Sequence, residues 1–215
     1  MTYLQIVNKV LRRLREREVT SVSQSTYSKL IGDFVNDAKK EVEDAWQWSV
    51  LRTTLTLTTS NGVFNYELNG SQNNFNVIDV VNDTSNKFMQ YKTSVWFDNQ
   101  FLNMNPASGS PLYYNFNGVS TDGDTQVDLY PIPDGIYQLR FNSVVRPLEL
   151  TNDTDKIVVP NQPVFLLAVA KAIEERGEDG GTSSMNAYAA GRSALADEIA
   201  YDMARHPEDS IWQTV

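Results

Sequence analysis

Apolar residues recur along this chain at two spacings, and the spacing changes twice. Near the start, Leu4, Val7, Val10, Leu11 and Leu14 fall three or four apart, with Lys9, Arg12, Arg13, Glu16 and Arg17 on the opposite side. That pattern predicts an amphipathic helix, with Thr2 as its cap. Residues 18–25 are β-branched and polar and read as a connector. Ser25 then caps a second helix, whose stripe is Tyr27, Leu30, Ile31, Phe34, Ala38, Val42, Ala45 and Trp46. Lys40 and Asp44 lie four apart on its outer side. Trp46 and Trp48 read as core and rim aromatics at the junction with the next element.

From Leu51 the period drops to two. Leu51, Thr53, Leu55 and Leu57 alternate with Arg52, Thr54, Thr56 and Thr58, and Phe64, Tyr66 and Leu68 alternate beyond Asn61-Gly62. Residues 51–68 therefore predict a hairpin. Strands follow at 77–81, near Phe88–Lys92 and at 111–116, with a short Ser-capped helix within 94–104. Val127 and Leu129, then Tyr137, Leu139, Phe141 and Val145, share faces of two further strands. The stiff Pro131-Ile132-Pro133-Asp134-Gly135 link between them suggests a second hairpin.

After Pro160 the helical period returns. One apolar helix enters through Pro163, carries Val164, Leu167 and Ala168, and stops at Gly177. A long last helix, capped by Ser183 or Ser184, has Met185, Tyr188, Ala189, Leu195, Ala196, Ile199 and Met203 as its stripe. His206-Pro207 ends it, with His206 as a cap, and the alanines and Gly191 imply a close helix approach. The expected fold is α+β. Helix pairs from 1–50 and 160–215 form a four-helix bundle domain, and 51–159 form a projecting antiparallel β domain, a sheet or a barrel-like insertion.

Composition narrows the chemistry. With 215 residues and no cysteine, the chain can bury a sizeable core but offers no thiol catalysis, thiolate metal site or disulfide. A charged N-terminus and the lack of a long apolar span predict a soluble protein made in the cytosol, with no membrane contact. Asn82-Asp83-Thr84 and Asn152-Asp153-Thr154 match the glycosylation sequon and read as turns in that setting. The net charge of −9 is spread as +1 over residues 1–50 and −5 over each of 51–159 and 160–215. Such a balance disfavours sequence-independent DNA binding, which depends on neutralising phosphates.

No catalytic constellation emerges. His206 is the single histidine, and the glycines at 177, 180 and 181 follow a helix, the wrong context for a phosphate loop. Glu43-Asp44 diverge by about 100° on a helix and cannot converge on one atom. Asp122, Asp124 and Asp128 lack the glycine and distal glutamate of a calcium loop, so turn chemistry explains them better. The expectation is a protein with no enzymatic activity, no cofactor and no metal. Aromatics at Tyr91, Trp96, Phe97, Phe101, Tyr113, Tyr114 and Phe116 leave open a sugar site, although strand spacing favours core.

Two stretches carry a resemblance. Phe34-Val35-Asn36-Asp37-Ala38 with the following EVEDAWQWSVLRTTLTLTT is similar to the second helix and first strand of head-to-tail adaptors of short-tailed phages. So is Asp128-Leu129-Tyr130-Pro131-Ile132-Pro133-Asp134-Gly135-Ile136-Tyr137, followed by Arg146-Pro147 and Ile157-Val158-Val159-Pro160. These adaptors are also called tail tubular protein A-like. The resemblance implies a structural virion protein, assembled in the host cytoplasm. A ring of such chains, twelve in number, would connect the portal protein to the tail nozzle or tail fibre proteins. DNA would pass through the channel without specific binding. Candidate contacts are Ile211 and Trp212 on the polar tail, Pro131, Ile132 and Pro133 at the stiff link, and Arg12 and Arg13 on the first helix. Two rivals stay in view: a glycan-binding β module of a phage tail and, more weakly, a tail-associated hydrolase.

Overall fold

The computed structural model describes residues 1–72, 75–102, 105–177 and 182–205. It has two compact units, Met1–Leu51 with Pro147–Val215, and Arg52–Arg146. The chain returns to the first unit at Pro147, ahead of the change of period at Pro160. The returning segment is sewn to the N-terminus, with Tyr3 N–H donating to Asp155 O at 2.8 Å and Ile157 N–H to Met1 O at 3.1 Å.

Four helices make up the first unit: α1 (Tyr3–Arg13), α2 (Thr26–Ala45), α4 (Asn161–Arg176) and α5 (Thr182–Arg205). Sequence-local capping sets the first two. Thr2 and Gln5 form a capping box, as do Ser25 and Ser28, each tying up N–H groups that the first helical turn cannot satisfy. The connector between them holds one turn of 3-10 helix, Val22–Gln24. Helix α4 is buried nearly all round, through Val164, Phe165, Leu167, Ala168, Val169, Ala170 and Ala172. An apolar circumference marks a helix surrounded by others, and α1, α2 and α5 all pack on it. Gly177 closes α4 in the left-handed conformation, φ 62°.

The expected four-helix bundle needs correction, because α5 does not share the core evenly. Only Ser184 and Gly191 of α5 are buried, while Met185 and Met203 of the expected stripe are exposed. Its inward line runs through Ser184, Ala187, Tyr188, Gly191, Leu195, Ile199 and Asp202. At Gly191 a Cβ would stand 2.9 Å from Leu167 Cδ2, so glycine permits the close approach to α4. Small residues, and not large ones, decide this face. The helix already begins at Thr182, which places Ser183 and Ser184 within the first turn and not at the cap. His206 and Pro207 lie outside the described residues.

Helix α2 also turns its face differently from expectation. Ile31, Gly32, Val35, Ala38, Lys39, Val42 and Glu43 are buried, whereas Phe34 is half-buried and Ala45 exposed. Lys39 Nζ lies 2.9 Å from Glu43 Oε1, and the two side chains are 4% and 1% exposed. The same ammonium donates to Leu148 O at 3.0 Å and to Pro147 O at 3.3 Å. A buried ion pair thus holds the point at which the chain re-enters this unit. Trp48 is buried too, its indole N–H donating to Val42 O at 2.7 Å.

The second unit is a pair of open four-stranded sheets facing each other. Its strands are β1 (Arg52–Thr58), β2 (Asn65–Glu67), β3 (Phe75–Asn82), β4 (Lys87–Phe88), β5 (Gln90–Tyr91), β6 (Tyr113–Val119), β7 (Thr125–Tyr130) and β8 (Gln138–Val145). One sheet has the order β1-β8-β3-β4 and the other β2-β7-β6-β5. Neither closes on itself, so no barrel forms. Helix α3 (Ser94–Phe101) sits between β5 and β6 in sequence and is capped by Thr93, not Ser94.

Both expected hairpins are overturned. Strand β1 pairs with β8, and β2 with β7. The links 59–64 and 131–137 each carry the chain from one sheet to the other. They are bonded together at that crossing, Gly62 N–H to Pro133 O at 2.8 Å and Thr59 Oγ1 to Gly135 O at 2.9 Å. Strands that each present one apolar face bury it better across a sandwich than beside each other in one sheet. Leu57, Val80, Leu139 and Phe141 from one sheet meet Tyr114, Val127 and Leu129 from the other, with Met89 at a further crossing between β4 and β5. Strand β3 alternates in exposure, with a bulge at Ile78 that leaves that side chain exposed.

Candidate partner-binding surfaces

Helix α1 ends in arginines because its C-terminus favours positive charge. Arg12 and Arg13 occupy the last turn, both exposed. Arg12 pairs with Glu18 at 3.1 Å, an exposed contact of small energetic weight. Beyond Leu14 the chain turns through Arg15 at φ 62°, a left-handed position after a helix that glycine normally fills. Arg15 N–H donates to Arg12 O at 3.1 Å and Glu16 N–H to Leu11 O at 2.9 Å, which holds the turn. Replacing Arg15 by glycine is expected to stabilise the free chain by about 1 kcal/mol, read as a higher midpoint in urea. Arg13, Arg15 and Arg17 pair with no carboxylate among the described residues.

A groove of about 610 Å³ opens beside the other end of α1. Tyr3 and Val22 form part of its floor, and Asp33, Glu149 and Asp153 bring carboxylates to it. Tyr3 packs on Gly32, where a Cβ would meet its hydroxyl. Burial, then Asp33, Asp153 and Glu149, push the Tyr3 hydroxyl from 10.0 to about 12. Tyr188 rises to about 12 as well, by burial and its 3.0 Å hydrogen bond to Glu174. Both groups favour the neutral form in the native state. Their contribution is full below pH 10 and is lost as pH rises through about 12. Alkaline titration followed by tyrosinate absorbance and helicity is expected to show the helical unit unfolding in that window, less steeply in Tyr3→Phe.

The stiff link at 131–135 is less open than a free loop. Pro133 is buried, and Pro131 and Ile132 are half-buried. Ile132 N–H donates to Ala107 O at 2.9 Å and Gly109 N–H to Ile132 O at 2.9 Å. Asp134 faces outward, as does Ile136 just beyond the link, which is 72% exposed. Asp134 takes a 2.6 Å hydrogen bond from Tyr137, which raises that hydroxyl above its ordinary range. Ile136 carried no signal beyond being an apolar residue beside a turn. Ile211 and Trp212 lie outside the described residues.

The aromatics weighed as a sugar platform are engaged with one another. Trp96 lies tilted against Tyr113 at 4.9 Å and meets Tyr130 edge-on at 5.5 Å, while Phe97 and Tyr114 are buried. They anchor α3 on the second sheet. Asp124 accepts from Gly70 and Gln72 N–H, and Asp128 from Asn65 at 2.6 Å, so both carboxylates serve turns and ladder. Asp202 accepts from Trp46 Nε1 and Ser49 N–H, each at 3.0 Å, pinning the end of α5 to the segment that follows α2.

These surfaces define a class: an α+β chain whose exposed features are charged ends, a groove and isolated apolar side chains suited to contact with other proteins. The family model for the SU10 adaptor protein matches residues 1–211, and the chain belongs to that family. It is a phage structural adaptor, a virion component that interacts with other phage head and tail components. Among curated proteins, none matches the chain. No helix among the described residues is long and apolar enough to cross a membrane.

Proposed function

We propose that twelve copies of this chain close into a ring that connects the portal protein to the tail nozzle and extends the DNA channel, in the manner of the short-tailed phage adaptors it resembles. The observation that carries this reading is the adaptor-family match over residues 1–211. A head-to-tail ring needs two different complementary faces on each subunit. Arg12 and Arg13 contribute to one such face. Ile136, with Pro131, Ile132 and Pro133 behind it, offers a contact for the next tail component. Ile211 and Trp212 act as apolar anchors of the C-terminal tail in the portal or a neighbouring subunit. The net charge of −9 suits a channel wall past which DNA slides without sticking. No cofactor takes part.

The test is electron microscopy of the full chain mixed with purified portal rings. Twelve-fold rings stacked on the portal are expected. A chain that stays monomeric and indifferent to the portal overturns the proposal. Deleting residues 207–215 is expected to weaken portal capture by about tenfold or more, the scale of a lost aromatic anchor. Unchanged capture removes Ile211 and Trp212 from the contact.

A further inference from the structure

We infer that adjacent copies join through a charged contact within the helical unit: Arg13, Arg15 and Arg17 of one copy enter the groove that Asp33, Glu149 and Asp153 line on the next. This rests on the ring reading above and names the two faces it requires.

The argument begins with the arginines. The chain carries 27 acidic against 18 basic residues, so an arginine has many potential partners at hand. Three arginines within five positions nevertheless find none among the described residues. One of them stands at the left-handed position after α1, where glycine suits the backbone better. Folding alone does not select that residue. A guanidinium displayed for a partner does.

The complement lies in the same unit. Asp33 and Glu149 are exposed, take part in no ion pair among the described residues, and flank a groove with room for extended side chains. Asp153 is held in place by the Val22 N–H at 2.9 Å, leaving its second oxygen for an incoming donor. Asn152 and Thr151 add polar rim. Planar guanidinium forks match carboxylates in geometry as well as charge.

Within one copy the two sets form no ion pair among the described residues. Arg13 lies in the last turn of α1, with Arg15 and Arg17 beyond it, and the groove opens beside Tyr3 in its first turn. The 11-residue helix spans about 16 Å from end to end. Unlike faces at opposite ends of one rigid element pair head to tail between copies. Such contacts propagate around a ring.

Charge reversal with exchange tests this in the full chain, with wild type as reference and purified portal rings as the assembly trigger. One variant carries Arg13→Glu, Arg15→Glu and Arg17→Glu; the other carries Asp33→Lys and Glu149→Lys. Each alone is expected to lose ring formation by at least tenfold in midpoint concentration, with unchanged circular dichroism. Mixed in equal amounts they present complementary faces at every junction, and rings are expected to return. Arg15→Gly, which keeps the fold, is expected to weaken assembly on its own. Raising salt from 0.1 M to 1 M shortens the Debye length from about 10 to about 3 Å and is expected to weaken wild-type rings. Variants that assemble like wild type, or a mixture that fails to restore rings, overturn the contact and leave the ring reading standing. A wild type that forms no ring with the portal overturns the ring reading itself.

Discussion

Replacing Glu43 by alanine is expected to lower the stability of the helical unit by about 3–5 kcal/mol, among the largest effects of any single change in this chain. The reason is the state of Lys39. Its side chain is 4% exposed and loses the carboxylate it pairs with among the described residues, while the carbonyls of Pro147 and Leu148 cannot neutralise it. A charge left in a dry interior costs far more than the pair contributed. For a unit of roughly 100 residues each kcal/mol moves the midpoint by about 4–8 °C, so thermal unfolding followed by helicity is expected to shift by more than 10 °C. The double replacement Lys39→Met with Glu43→Leu tests the cause. Removing both charges and keeping the volume is expected to leave stability unchanged or raised by about 1–4 kcal/mol. If the double variant is as unstable as Glu43→Ala, the stranded Lys39 charge is not responsible.

Phe141→Ala is expected to cost the β unit about 3–5 kcal/mol, measured by near-ultraviolet circular dichroism in urea. Phe141 is wholly buried at the centre of β8, pairing with Leu55 on one side and Val80 on the other. Its ring meets Tyr114 edge-on at 5.9 Å, so it joins the two sheets as well as filling the space between them. A cavity there would open the core between the two sheets. Leu102→Ala, at a side chain of the same unit that is 81% exposed, is the control and is expected to change stability by under about 0.5 kcal/mol.

Much of the local structure was legible from residue spacing. The caps at Thr2 and Ser25, the stop at Gly177 and the β region all follow from chemistry within a few residues. The chemistry of the surface was legible only in part. Arg12 and Arg13 stand out as charges on the polar face of the first helix, but nothing local marks Arg15, because its left-handed backbone depends on how α1 terminates. The groove draws on Tyr3, Asp33 and Glu149, which are far apart in the chain. No local pattern announces such a meeting.

By itself the sequence determined which segments are helix and which are strand, since period and capping are set by neighbours along the chain. The adaptor resemblance rested on two such local stretches. Only the tertiary structure decided what pairs with what. Asn61-Gly62 and Pro131–Gly135 looked like hairpin turns, yet both links cross between sheets, because apolar faces are buried more completely across a sandwich than within one sheet. The same logic turned α2 so that Lys39 and Glu43 face inward, and set α5 on its small residues. Periodicity records that a face is apolar. Which face meets which, and which charges end up dry or unpaired, is settled by the competition among all faces for one core.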